Sequence, residues 1–574
     1  MALNAIIAAL LKEFAEGQQI LTLQESEQFE HFVNYAILSD IYAGDFNPLD
    51  ISTGLHEFGL DGIAVIVNGA LVDDVDEIDE LVKKNKYLDV EFIFTQAKTS
   101  AGFDTGDILK TLIAVGDFFG SLSLLKGERV AAKHVLKEHI YSNATHFRRA
   151  PPKLSIFYGA LGAWQDDATL TTIIKGEVGK LEGTALFSSV IFNAIGVNQI
   201  RELYFRTKNA FHREIDFEKC VTLPAIPQVK EAYIGLLPAP EYLKLITDEH
   251  GAIKKQLFFD NMRDFIVDSE TNAEISGTLA SDRRAEFPLR NNGVTVVARK
   301  LQRTGNRFDI EDYQIVNGCQ TSHVIYNNRA SVTAAIVVPI KIIVTENDDV
   351  TNTIIRGSNV SNSFDRSQLW ATEPFHKDIE IFFEKRFEGE QKLFYERRKG
   401  QFAADAKIEK VRIVTPPALL KAFASMFGDK PHDVTKYYSQ LEPEVGKTIF
   451  NPKHDLYVYY AAAYAAFRLE SLFRNKRLKA EFKPCRQHLL MGFKYATLGE
   501  QINPSDKLAE KKLTPILAIL ADQARSAEIF SRLIDVAAEL QAKSGIDTPR
   551  QLAKAVALRD TFRDQAPKLG LIAK

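Results

Sequence analysis

Between residues 25 and 161 the hydrophobic period switches repeatedly between that of a helix and that of a strand, and this alternation constrains the fold more than any other feature of the chain. Residues 25–41, ESEQFEHFVNYAILSDI, place Phe29, Phe32, Val33, Ala36 and Ile37 on one helical face. GLDGIAVIVNG (59–69) reads as a strand entered through glycine, and VEFIFTQAK (90–98) as a second strand. A helix over Asp107–Phe119 and a strand over 154–161 follow. Helix, strand, strand, helix, strand is an α/β core. The acidic stretch LVDDVDEIDE (71–80) between the first two strands reads as a solvated connector.

Further along, prolines at 224, 227, 238 and 240 suggest a linker or an extended crossing. Residues 250–400 again mix helices and strands, and from about 410 the pattern is helical to the end. A chain of 574 residues is long enough for three or four domains. The expected division is 1–220, a central α/β domain over 221–405, and a mostly α-helical domain over 406–574.

Composition excludes several classes. A net charge of −4 argues against coating nucleic acid by bulk positive charge, although a local basic channel is compatible with it. Three scattered cysteines offer neither a zinc ribbon nor a disulfide scaffold and fit a reducing cytosol. The longest apolar run, Leu456–Phe467, is too short for a span of about 20 residues, so no membrane is expected and the location is read as cytoplasmic.

Asp61 stands at the start of the first strand, and Gln96 and Lys98 at the end of the second. Strand alternation puts Gln96 and Lys98 on one face, so all three converge if the strands are neighbours. A carboxylate and an amide oxygen suit Mg2+ (or Mn2+), and a lysine can orient an attacking water or offset phosphoryl charge. Glu30, at the rim of the preceding helix, completes the set.

GLDG followed by FTQAK resembles the D-x(n)-(E/Q)-x-K signature of restriction-endonuclease-like (PD-(D/E)xK) nucleases, in the QxK variant of some modification-dependent restriction enzymes, over about residues 20–165. The resemblance implies that Asp61, Gln96 and Glu30 hold the metal and that Lys98 is the catalytic lysine. Glu27, one turn from Glu30, competes for the helical position, and Gln96 departs from the commoner glutamate.

The central region carries FPLRNNGVTVVARKL (287–301) and YQIVNGCQTSHVIYNN (313–328). In the second, a strand runs through Asn317-Gly318 into a helix start near Cys319–Thr321, where free backbone N–H groups can meet an anion. Amide side chains there can equally cap helices, close turns or read base edges. RNNGVTVVA, QIVNGCQTSHVIY, SNVSNSFDRSQL and FYERRKG together resemble the abortive-infection phage-resistance (AIPR) family over about 228–400, with DNMRDF (260–265) fitting too. That resemblance implies a prokaryotic defence protein paired with a nuclease head. Asn291, Asn292, Asn317, Gln320, Thr321, Asn359, Arg397 and Arg398 are carried as ligand-contacting or architectural positions.

Some patterns fail. GKT at 446–448 lacks the leading glycine of a phosphate loop, and HEFGL (56–60) lacks the second histidine of a zinc helix. Cys319 and His323 share a helix face without an orienting third residue. RLESLFRNKRLKAEFKPCR (468–486) holds seven Lys/Arg against two Glu and reads as a solvated face or a phosphate-contacting patch.

The expectation is a Mg2+-dependent endonuclease of an anti-phage system, acting on nucleic acid with DNA ahead of RNA. Two active sites for two strands imply a homodimer, and a phage-derived trigger would gate it. The rival is a catalytically degenerate sensor that recognises a nucleotide, nucleic acid or phage component through its central domain.

Overall fold

The structure is a computed structural model. It describes the chain except residues 1–4, 43, 45, 55–56, 148–149, 166, 208–211, 248–250, 252, 255–256, 259–276, 280, 348–349, 352, 355–373, 398–400, 403–407, 437–440, 442 and 572–574. Asn359, Arg398 and the stretch DNMRDF therefore lie outside the described residues.

The N-terminal layer is built on a five-stranded sheet of order β2-β1-β3-β4-β5, with β1 at Gly62–Val67, β2 at Ala70–Leu71, β3 at Val90–Lys98, β4 at Lys153–Ala160 and β5 at Ser189–Ile195. β1 runs antiparallel to β2 and β3, whereas β3, β4 and β5 are parallel. Every residue of β1 is buried, as both-face coverage by helices requires. On one face lie α1 (Ala5–Gly17), α2 (Glu25–Ile41) and α7 (Val197–Arg206), joined through Phe14, Phe29, Phe32 and Tyr204. On the other lie α3 (Val75–Asn85), α4 (Thr105–Phe119), α5 (Glu128–Ser142) and α6 (Ala168–Glu182), packed on Phe92, Phe94 and Ile156.

The second sheet has six strands in the order β6-β10-β9-β11-β8-β7. These are β6 His212–Asp216, β7 Cys220–Thr222, β8 Glu231–Pro238, β9 Val294–Thr304, β10 Arg307–Asn317 and β11 Val337–Val344. β9 and β10 form an antiparallel hairpin, and β11 adds in parallel to β9. α8 (Ala239–Ile246) and the helix Cys319–Asn327 cover its core through Tyr242, Leu245 and Ile325. The proline cluster belongs to this unit: Pro238 ends β8 and caps α8, and Pro240 occupies its first turn, where a missing N–H costs nothing.

The chain ends in a helical core built around the helix Leu456–Arg474, whose Val458–Ala465 stretch is buried throughout. The overall architecture is thus α/β with mixed sheets and a helical C-terminal region. β6 pairs within the second sheet and the helix Pro374–Arg386 packs into the helical core, both upstream of the divisions at 220 and 405 drawn from composition. Among the described residues no helix is long and apolar enough to cross a membrane.

Two charged stretches differ from their sequence reading. Residues 71–80 are not a loose connector: Asp74 caps α3 in a capping box with Glu77, and Asp74 and Asp76 receive Lys554 Nζ at 2.7 and 2.8 Å. The basic stretch 468–486 is not a continuous solvated face, because several of its cations are paired within the protein. Arg474 Nη1 donates to Gln18 O at 3.0 Å, Lys476 pairs with Glu27 at 2.7 Å, and Lys483 pairs with Asp50 at 2.5 Å. Opposite charges hundreds of residues apart in sequence clamp the N-terminal layer to the helical region.

Candidate functional site

The antiparallel register of β1 and β3 sets Gly62 opposite Thr95, which brings Asp61 beside Gln96. Asp61 is pinned at both ends. Its N–H donates to Thr95 O at 2.9 Å, and its Oδ2 accepts from Ala97 N at 2.7 Å and from Gln96 Nε2 at 2.5 Å. Asn34 of α2 locks the same corner, donating to Asp61 O at 3.2 Å and accepting from Thr95 Oγ1 at 2.5 Å. Only glycine fits between them, since a Cβ at position 62 would lie 2.8 Å from Asn34 Nδ2.

Gln96 spends its amide N–H on Asp61, and its Oε1 is buried with no hydrogen-bond partner among the described residues. A buried acceptor left unsatisfied costs about 1–3 kcal/mol. An ordered water or a bound ion is the usual partner of such a group.

α2 presents Glu30 to the same corner. Burial, followed by the charges of Asp61 and Glu27, pushes the Glu30 carboxyl up to about 8, with Lys98 and Lys476 opposing. Burial likewise raises Asp61 to about 6 against the pull of the Ala97 N–H, Lys98 and Lys110. The two glutamates differ in their partners: Glu27 pairs with Lys476, whereas Glu30 feels the charge of the Asp61 carboxylate.

Lys98 ends β3 on the same face as Gln96, with its Nζ 3.8 Å from Asp107 Oδ1 and its side chain one-third exposed. Asp107 sits in the first turn of α4. It was not singled out from the sequence, though an Asp-x-x-Asp helix start six residues beyond the QxK triplet was the available signal. Asn34 and Lys110 were also missed: a polar residue on an apolar helix face and a lysine on α4 carry no local signature.

Asp61, Gln96, Glu30 and Lys98 therefore come together. Two carboxylates and an amide carbonyl form an all-oxygen donor set of the kind hard divalent cations take, and the orphaned Gln96 Oε1 fits that use. Among the described residues no three His, Cys, Asp or Glu side chains group as a metal cluster, so the amide oxygen is needed to make a third donor.

The central motifs are arranged differently. Asn291 Oδ1 accepts from Gly293 N at 2.9 Å, and its Nδ2 donates to Thr321 Oγ1 at 3.0 Å, tying the entry of β9 to the helix Cys319–Asn327. Asn292 is exposed, Gln320 is half-buried in the first turn of that helix, and Asn317 closes β10. Gly318, at φ +100°, is the helix cap and lets the strand turn into the helix. Arg397 is buried and bonded to Glu380 at 2.9 Å, which turns it inward. These residues lie on elements of the second sheet and the helical core, apart from the Asp61 corner.

The family described as AIPR protein matches residues 258–548, just over half of the 574-residue chain. The match takes in β9, β10, the helix Cys319–Asn327 and most of the helical region. No curated protein and no solved structure matches the chain. The central motifs and this match agree: the chain belongs to the AIPR family, and membership implies a role in abortive-infection phage defence.

Proposed function

We propose that the Asp61 corner is the active site of a metal-dependent endonuclease through which the protein acts in phage defence. The observation that carries this reading is the pairing of a buried Gln96 Oε1, without a hydrogen-bond partner among the described residues, with a carboxylate whose pKa is raised by burial. Asp61, Gln96 and Glu30 would hold Mg2+ or Mn2+. Once bound, the cation supplies Lewis-acid charge to the scissile phosphate. Lys98, kept at the strand end by Asp107, donates to the attacking water or to a phosphoryl oxygen as negative charge develops. Asn34 and Thr95 hold the Asp61 backbone so that the carboxylate does not swing away.

DNA is the first substrate to test, with RNA as the second arm. Cutting a duplex needs two such centres and so a homodimer, with a phage component as trigger. Incubation of the purified protein with each nucleic acid, with Mg2+, Mn2+ or EDTA, tests the reading: cleavage should require the cation.

A second reading has one observation in its favour. The family match begins at residue 258, wholly downstream of the Asp61 corner. Under it the central region recognises a nucleotide, nucleic acid or phage component and the N-terminal site is catalytically silent. Absence of cleavage on every substrate and cation, by protein that still binds one of those ligands, would favour it.

A further inference from the structure

Where the turn after α1 meets the helical region there is a cavity of about 320 Å3, within the range of small-molecule sites. Gln19 and Thr22 line it from the N-terminal layer, and Arg412, Arg468, Arg477 and Gln523 from the helical region. Three arginines thus line a space whose described lining includes one carboxylate residue, the exposed Glu390.

The three arginines are not alike. Arg412 is already paired with Glu409 at 2.5 Å and lies over the Phe467 ring at 5.2 Å. Arg468 is 93% buried, yet among the described residues its hydrogen bonds go to neutral acceptors: Leu520 O at 2.6 Å, Ala521 O at 3.2 Å and the Tyr464 hydroxyl at 3.4 Å. Arg477 is exposed and makes no ion pair among the described residues. A buried guanidinium without a counter-charge is expensive, and an anion in the cavity removes that expense. Arginine forks match phosphate bidentately. Around them Gln19, Gln523 and Asn475 supply amide donors and acceptors, which a bare phosphate does not need.

We propose that this cavity is a binding site for a phosphorylated small molecule of mononucleotide size, with Arg468 and Arg477 on the phosphate and the amides on the base or sugar. The site is separate from the Asp61 corner and does not depend on its chemistry. Gln19 bonds to Glu409 at 2.8 Å and Thr22 to Asn475 at 2.6 Å, so both walls already touch. A ligand there stabilises the contact between the N-terminal layer and the helical region, because it binds the docked state alone.

The test is equilibrium binding and thermal denaturation of the full chain with adenosine and guanosine 5′-monophosphates and with inorganic phosphate. Either mononucleotide should raise the melting temperature in a concentration-dependent way and bind at least tenfold more tightly than inorganic phosphate. Arg477→Ala should weaken that binding tenfold or more. Gln523→Glu should do the same by adding a carboxylate at a helix N-terminus, where negative charge does not harm the fold. Asp61→Ala should leave it unchanged, which separates this cavity from the nuclease site. The proposal is overturned if no mononucleotide binds at millimolar concentration, if inorganic phosphate binds as well as the nucleotides, or if folded Arg477→Ala and Gln523→Glu proteins bind as the wild type does.

Discussion

Gln96 donates its side-chain amide to Asp61 Oδ2 at 2.5 Å and keeps its own carbonyl oxygen buried without a partner among the described residues. Replacing the amide by a carboxylate, Gln96→Glu, should tighten divalent-cation binding about tenfold, because affinity at oxygen sites follows ligand charge. The same change sets a third carboxylate against Asp61 and Glu30, so the cation-free protein should melt lower than wild type at pH 8. Isothermal titration with Mn2+ and a melting curve with EDTA measure the two effects.

The raised carboxyls give a pH dependence with a definite sign. Glu30 rises from 4.5 to about 8 and Asp61 from 3.8 to about 6, so the folded state holds their protons more tightly than the unfolded state. Their contribution to stability is complete below about pH 4 and is lost as pH climbs through 6 and then 8. Cation-free protein should therefore lose stability over that window, and Glu30→Gln should flatten the loss. A divalent cation must displace these protons, so its stabilising effect should be small at pH 5 and large at pH 8.5. Melting temperatures from pH 4 to 9, with and without Mg2+, check both signs.

Glu27 is buried against Lys476, and Lys476 also restrains the Glu30 carboxyl. Lys476→Ala should cost about 1–3 kcal/mol in urea unfolding by leaving a buried carboxylate unpaired. The double variant Glu27→Gln/Lys476→Ala should recover part of that loss. In Lys476→Ala alone the pH at which Mg2+ stabilisation appears should move upward, since one of the charges lowering Glu30 is gone.

Gly318 stands at φ +100°, and a Cβ there would lie 2.7 Å from Val294 Cγ2. Gly318→Ala should lower stability by about 1–3 kcal/mol, read by urea unfolding. Metal binding at the Asp61 corner should be unaffected, because β9 and the helix Cys319–Asn327 belong to the second sheet.

Local periodicity made much of the fold legible. The segment 25–41 is a helix over the same residues, and the apolar runs at 59–69 and 90–98 contain β1 and β3. Their adjacency was only a condition in the sequence, because nothing local states which strands pair; the register Gly62↔Thr95 supplies it. Long-range charge pairing was not legible at all. Asp74 and Lys554 are 480 residues apart, and a run of acid or base looks the same in sequence whether water or a distant counter-ion covers it. The inward turn of Arg397 toward Glu380 was hidden for the same reason. Glu27 and Glu30 could not be ranked by helical spacing, since the distinguishing partner, Lys476, lies in another layer.

The proposed function assigns cation-dependent phosphodiester cleavage to Lys98 and Asp61. The direct measurement is the Mg2+-dependent cleavage rate of DNA and RNA by wild-type, Lys98→Ala and Asp61→Ala proteins, each first shown to be folded by its melting curve. Wild-type protein should cleave in a way that EDTA stops, and cleavage should fall at least about 100-fold in each variant, with nucleic-acid binding retained. Undiminished cleavage by a folded Lys98→Ala protein would contradict it.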